Sequence, residues 1–447
     1  MAQKGAGMMS GWKTMLFSDA VEINPSVTLE RGKTYPFVSM QAVTPEDHWV
    51  VPSETREYTG GGTKFIHGDT LMARITPSLE HGKIVRYSGV GQYKQGFGST
   101  EFIVLRGKEG ITNNNFVYYL VKSPRVHQYA ISQMTGTSGR QRVPTESLSF
   151  LEVDIPPLPE QRAIAHILGT LDDKIELNRR QSETLEAMAR ALFQAWFVDF
   201  EPVRAKMNPP SPRGSPTGVL REGAGGEGIY ALFPDRLVES ELGPIPDGWK
   251  ISPLDEIATY LNGIAWQKYK AQPGASSLPV IKIRELRDGR TSDTSDRAVL
   301  DVSKEYWIDD GDVIFSWSGS LLVKIWCGGQ GILNQHLFKV TSEKFPKWFF
   351  YWWTQEHLER FQRIAADKAT TMGHIKREHL NETKALIPSD GLLQRMSNIM
   401  TPLLEQHVVL SRQANVLTAL RDTLLPKLIS GQVRVADAER FLQERGL

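Results

Sequence analysis

"DIPPLPEQRAIAHIL", residues 154–168, sets a short apolar stretch against three prolines in four residues and then begins a long amphipathic segment. Proline has no amide hydrogen and a fixed φ, so Pro156, Pro157 and Pro159 stop strand or helix propagation and stiffen a joint. "ALIPSDGLLQRMSNIM", residues 385–400, repeats the order later in the chain. Such a joint orients a globular part relative to a rod.

The rods are read from spacing. Ile164, Leu168, Leu171, Ile175, Asn178, Ser182, Leu185, Ala189, Leu192 and Trp196 are separated by alternating steps of four and three. Met396, Ile399, Leu403, Gln406, Leu410, Gln413, Leu417, Leu420 and Leu424 follow the same alternation. That is the seam of a coiled coil. Polar residues near its centre (Asn178, Ser182, Gln406, Gln413) cost stability but fix register, because slippage would leave them unpaired. From Glu160 to Phe200 a helix spans roughly 60 Å at about 1.5 Å per residue. The competing reading of either segment is a long helix packed on an ordinary core.

The chain is also written twice. "SGWKTMLFSDAVEIN" (10–24) is echoed by "DGWKISPLDEIATYLN" (247–262), and "HGDTLMARITPSL" (67–79) by "DGDVIFSWSGSLL" (310–322). "TGTSGRQRVPTESLSFLEVDIP" (135–156) is echoed by "KATTMGHIKREHLNETKALIP" (368–388). Three collinear echoes of similar offset indicate two diverged copies of one unit. Within each copy, "FVSM", "EFIVL", "DVIF" and "LFKV" predict short strands, and 114–131 and 346–363 predict one helix each. The fold class is therefore α+β: two globular domains separated by two long antiparallel helices, a coiled coil with a pseudo-two-fold internal repeat. The first helix carries the chain from one domain to the other and the second carries it back, which puts the domains at opposite ends. The parts are 1–157, a first helix 158–201, a Pro/Gly/Ser-rich flexible linker and docking segment 202–244, 245–388, a second helix 389–430 and a tail 431–447.

Composition bounds the function. The net charge of +1 hides a slightly basic 1–150 and an acidic 151–200, so charge neither demands nor excludes a nucleic acid. One cysteine, Cys327, excludes an intrachain disulfide and fits a reducing compartment. The amino terminus lacks an apolar signal core and no uncharged run is long enough to cross a bilayer, so a soluble cytoplasmic protein is expected.

"IPPLPEQRAIAHILGTLDDKIELNRRQSETLEAMARALFQAWF", "LFPDRLVESELGPIPDGW" and "LRDTLLPKLISGQVRV" closely resemble the specificity subunits of Type I restriction–modification systems, over essentially the full length. The resemblance implies two target-recognition domains, each reading one half of a split duplex sequence, with the helices as a ruler for the gap. It implies two modification subunits that use S-adenosylmethionine to methylate adenine N6, and restriction subunits that use ATP and Mg to translocate and cut DNA. This chain would bind no cofactor and catalyse nothing itself.

The residues agree with a non-catalytic chain. "NPPS" (208–211) looks like a methyltransferase motif, but Ser211 stands where an aromatic would stack on a flipped base. No GxxxxGK[ST] is present, and His374 and His379, five apart, do not make a metal pair. "WFFYWW" (348–353) reads as the core face of a helix, and Cys327 as a small buried side chain. Base readers are sought instead in loops present in both copies. "TGTSGRQR" offers Ser138, Arg140, Gln141 and Arg142, the arginines suited to guanine and Gln141 to adenine. Its counterpart offers Lys368, Thr370, Thr371, His374 and Lys376. Arg74, Lys94, Gln95, Ser316, Asn334 and Gln335 are further candidates, with lysines suited to phosphates. Near-neutral charge fits a chain whose partners supply much of the phosphate neutralisation. Two other classes share the pattern in part: a coiled-coil adaptor without DNA readout, and a self-contained DNA methyltransferase.

Overall fold

The strand that enters each joint is pinned by the strand that opens its repeat. Glu152–Ile155 pairs antiparallel with Lys13–Leu16, Ile155 opposite Lys13. Lys384–Ile387 pairs with Lys250–Pro253 in the same way. A long helix starts within a few residues of each pair: Leu158–Phe193 and Asp390–Ile429. At the first joint the Trp12 indole donates to Glu160 at 3.0 Å. Gln161, fully buried, donates to the Ile111 and Pro156 carbonyls and accepts from the Asn113 amide, all at 2.8 Å. A buried glutamine with its amide satisfied three times over locks the direction in which the helix leaves.

The computed structural model describes residues 11–91, 93–137, 139–208, 226–367, 373–444 and 446. They fall into two units, Met1–Glu176 with Leu417–Leu447, and Leu177–Val416, so that the division lies within both long helices. Among the described residues no helix is long and apolar enough to cross a membrane.

In the first unit one sheet has the strand order Val21–Ile23, Phe102–Gly107, Thr70–Ala73, Ile84–Tyr87, Trp49–Val50. The other has Glu54–Glu57, Thr34–Val38, Gln95–Gly98, Thr63–Ile66. In the second unit the sheets are Thr259–Asn262, Leu337–Thr341, Val313–Ser316, Leu322–Ile325 and Arg297–Val299, Ser277–Ile281, Gly331–Leu333, Trp307–Ile308. The pairings correspond one to one, including a single parallel contact in the second sheet of each unit, Thr34–Val38 with Gln95–Gly98 and Ser277–Ile281 with Gly331–Leu333. Among the described residues the short Trp49–Val50 strand, parallel to Ile84–Tyr87, and the pair Leu237–Val238 with Ile245–Pro246 have no counterpart in the other unit. The repeat is thus a repeat of topology.

Each helix expected at 114–131 and 346–363 is in fact two. Asn114–Lys122 ends at Ser123, in extended backbone before Pro124, and Pro124–Ser132 follows; a residue preceding proline is driven out of the helical region. Lys347–Glu356 and Leu358–Asp367 meet at His357, whose ring nitrogen Nε2 bonds the Lys384 carbonyl at 2.8 Å. The aromatic run Trp348–Trp353 is wholly buried, as its composition predicts. Pro202–Met207, counted above with the flexible linker, belongs to the helix Glu201–Met207, because Val203 is buried in the same core as Trp196, Phe197 and Trp249. The 431–447 tail likewise carries a helix, Val435–Gln443, seated through Ala438 and Leu442.

Within the first unit the two long helices meet through Asp172 and Arg421, 2.7 Å apart. Within the second, Asn178 donates to Gln413 at 3.4 Å, and Ser182 lies 2.7 Å from Ser411 Oγ and 2.8 Å from His407 Nδ1. As the first helix advances the second recedes, so they run antiparallel. Ile164, Leu168, Leu171, Ile175, Asn178 and Ser182 are buried, and Leu185 and Leu192 half-buried. On the second helix Met396, Leu410, Leu417 and Leu424 are buried, with Leu403 and Leu420 half-buried. Ile399, however, is 38% exposed, and Gln406 and Gln413 are exposed. The stripe there runs Leu392, Met396, Met400, Leu404, in steps of four, and joins the core of the globular part. An α-helix turns once in 3.6 residues, so a face serving a flat core drifts off a 3.5-residue seam by about 20° per heptad. The polar centre is therefore Asn178, Ser182, His407 and Ser411, with Gln413 reaching in.

Candidate nucleic-acid interface

The loop 135–142 closes on itself by reciprocal backbone bonds between Thr135 and Arg142, at 3.0 and 2.9 Å. Gly136 and Gly139 adopt positive φ of 128° and 81° to allow the turn. The loop is then tied to the edge beyond strand Thr70–Ala73. Thr76 N donates to Gln141 O at 3.0 Å, Val143 N to Arg74 O at 2.8 Å and Arg74 N to Glu101 O at 2.9 Å. Three chain segments thus meet, and Arg74, Glu101, Gln141 and Arg142 stand together.

Side chains complete this frame. Arg142, 43% exposed, donates Nε and Nη2 to the Glu101 carboxylate at 3.0 and 2.7 Å. The Glu101 hydrogen bond and charge raise the Arg142 pKa above its ordinary value, so the guanidinium is a permanent cation. Its Nη1 lies 3.5 Å from the Arg140 carbonyl, the outer limit of a hydrogen bond. Arg140 is exposed, Gln141 half-buried, and Arg74 half-buried with Nε lacking a hydrogen-bond partner among the described residues. Lys94 and Gln95 are exposed but lie at the other end of strand Gln95–Gly98, beside His67, outside the frame. Ser138 lies outside the described residues.

The second unit builds the same frame. Gly319 N donates to Gly373 O at 2.9 Å, Ile375 N to Trp317 O at 3.0 Å and Trp317 N to His336 O at 3.3 Å. The isolated bridge Ile75–Arg142 has its equal in Ser318–His374. Here the indole of Trp317 donates to Asn262 Oδ1 at 3.0 Å and stands 6.1 Å from the His336 ring and 6.3 Å from the exposed His374 ring. The His336 ring lies 3.3 Å from the Gln335 amide nitrogen at Nε2 and 2.9 Å from Ser318 Oγ at Nδ1. Lys376 is exposed, 3.1 Å from Glu378. Two candidates are corrected. Ser316 is fully buried in a central strand and donates to Ser318 O. Asn334, 4% exposed, turns its side chain onto the His336 amide, a local turn bond. Neither can reach a base. Lys368, Thr370 and Thr371 lie outside the described residues.

Sequence reading missed Glu101, Trp317 and His336. The duplication held the signal: Glu101 and His336 are 235 residues apart, inside the range set by the three echoes. Cys327, by contrast, is buried, and burial pushes its thiol up to about 12, which suits packing and not nucleophilic chemistry.

Residues 9–187 match the family model of the Type I restriction modification DNA specificity domain. Across 337 residues the chain is 26% identical to the Type I restriction enzyme MjaIX specificity subunit of Methanocaldococcus jannaschii, covering 74% of this chain and 71% of that one. Against the HindI specificity subunit of Haemophilus influenzae the figures are 24% over 423 residues, 85% and 90%. The first repeat thus matches the specificity domain, and along most of its length the chain is similar to the specificity subunits of Type I restriction–modification systems. The crystal structure of a Type-I restriction-modification system S subunit from M. genitalium shares the fold, with a TM-score of 0.52 at 14% identity over 96% of this chain and 98% of that one.

Proposed function

We propose that this specificity subunit reads a bipartite DNA sequence through the two equivalent loop frames, one half-site per globular part. Arg74, Arg140, Gln141 and Arg142 face the first half-site, and Trp317, Gln335, His374 and Lys376 the second. The observation that carries the reading is the frame itself. Two copies of one fold each gather three loops at one edge, and in both the gathered side chains are partly exposed and polar or aromatic, with Arg140, Gln141, Arg142, Gln335 and Lys376 as donors that suit base edges and phosphates. In the complex the chain works, in the cytoplasm, with two modification subunits that bring S-adenosylmethionine and with restriction subunits that bring ATP and Mg.

The triple variant Arg140→Ala, Gln141→Ala, Arg142→Ala, purified with its modification subunits, tests this. Assembly by size-exclusion chromatography should be unchanged, while the sequences methylated in a randomised duplex library lose their preference in one half-site. An assembled complex that methylates the original sites would leave the adaptor reading in its place.

A further inference from the structure

The two frames share their backbone bonds and differ in their chemistry. Positions 74, 101 and 142 hold Arg, Glu and Arg; the equivalent 317, 336 and 374 hold Trp, His and His. A guanidinium carries five N–H donors in a planar fork. In Arg142 the edge formed by Nε and Nη2 is spent on Glu101. What remains is the far end, Nη1 and the second N–H of Nη2, a pair of parallel donors directed away from Glu101. Guanine presents O6 and N7 in the major groove at the spacing such a pair matches.

We propose, building on the half-site reading above, that Glu101 is a positioning residue that holds Arg142 end-on toward a guanine. Half-site preference is written at these three frame positions. The carboxylate does two things. It removes the rotamer freedom of an otherwise flexible side chain, so less entropy is lost on binding. It also fixes which edge of the guanidinium faces outward, and so which base is accepted. A bare surface ion pair between a 43% exposed arginine and a 25% exposed glutamate contributes little to stability, so its effect falls on recognition. In the second unit the equivalent positions hold an indole with one imidazole 6.1 Å and another 6.3 Å away, and no carboxylate. That half-site is read without an end-on arginine at this point.

The test uses the assembled complex with its modification subunits and a randomised duplex library, reading the bases of methylated products. Glu101→Gln, nearly isosteric, and Glu101→Ala should lower the guanine preference at one base pair of one half-site by roughly five- to hundredfold, the range of a good bidentate pair. The other half-site should be unaltered, and Arg142→Lys, which keeps charge but not the fork, should broaden the same base pair. A structural role for Glu101 would move melting temperature and leave base preference alone. The graft His336→Glu with His374→Arg should introduce guanine into the second half-site. If Arg142→Lys broadens one position while both Glu101 variants leave it intact, the positioning role is overturned and the half-site reading stands. If no variant at 101, 140, 141 or 142 alters any position, the half-site reading falls with it. A graft complex that methylates with an unchanged second half-site overturns the equivalence of the frames.

Discussion

Removing either partner of the Asp172–Arg421 pair should destabilise the first unit by about 3 kcal/mol, and removing both should cost less than the sum. Asp172 is 3% and Arg421 13% exposed at the side chain, 2.7 Å apart on the two antiparallel helices. Burial alone would raise the Asp172 carboxyl; the Arg421 charge and hydrogen bond outweigh it and hold the carboxyl below its ordinary value. The folded pKa is therefore depressed, so the pair's contribution is present above the unfolded carboxylate pKa of about 3.9 and lost only as pH falls through the folded value. At pH 7 it is fully charged. Losing one partner of a buried pair costs about 3–5 kcal/mol. Tyr119 still donates to Asp172 at 2.8 Å when Arg421 is gone, and Asp422 stays on Arg421 at 2.7 Å when Asp172 is gone. Both Arg421→Met and Asp172→Leu thus belong at the low end, about 3 kcal/mol each. The double variant is an apolar pair whose main residual cost is the Tyr119 hydroxyl left without an acceptor, about 1–3 kcal/mol. Urea denaturation of the purified chain, followed by circular dichroism, should give a double variant near 2–3 kcal/mol against about 6 for additivity. Single losses below about 1 kcal/mol, or a double equal to the sum, would refute the buried coupling of the helices.

Two further outcomes follow from burial. Met400→Ala, at a fully buried position, should cost about 2–5 kcal/mol, while Ile399→Ala next to it, 38% exposed, should cost less than about 1; thermal denaturation giving the reverse order would restore the 3.5-residue seam. Lys122 donates to the Tyr118 hydroxyl at 3.1 Å, and burial lowers it to about 8. At this group the unfolded chain then binds more protons between pH 8 and 10, so its contribution to stability rises with pH across that window, and Lys122→Met should make the pH slope of stability less positive than the parent's; equal pH slopes for both proteins would contradict it.

The resemblance, the duplication and the two long helices were legible because they rest on patterns that local chemistry imposes. Prolines cannot continue a strand or a helix, so both joints announced themselves. A buried helix face must recur at nearly fixed spacing, so Ile164 to Ile175 and Met396 to Leu424 were readable. A repeat leaves its echo wherever the backbone needs the same turns. Helix breaks were less legible: Pro124 was visible, but the stop at His357 depends on a bond to Lys384, distant in sequence.

The candidate interface divides along the same line. Loop residues such as Arg140 and Arg142 stood out by type and by glycine context. Ser316 and Asn334 looked equally suitable, yet they are buried, because polarity alone does not say which way a strand or turn faces. Glu101 gave no local sign at all. It matters because three segments of the chain, at Arg74, Glu101 and Arg142, converge on one point. Composition, periodicity and repetition follow from bonds within a few residues and so can be read along the chain. Which carboxylate meets which guanidinium is set by packing between distant segments, and only the tertiary structure decides it.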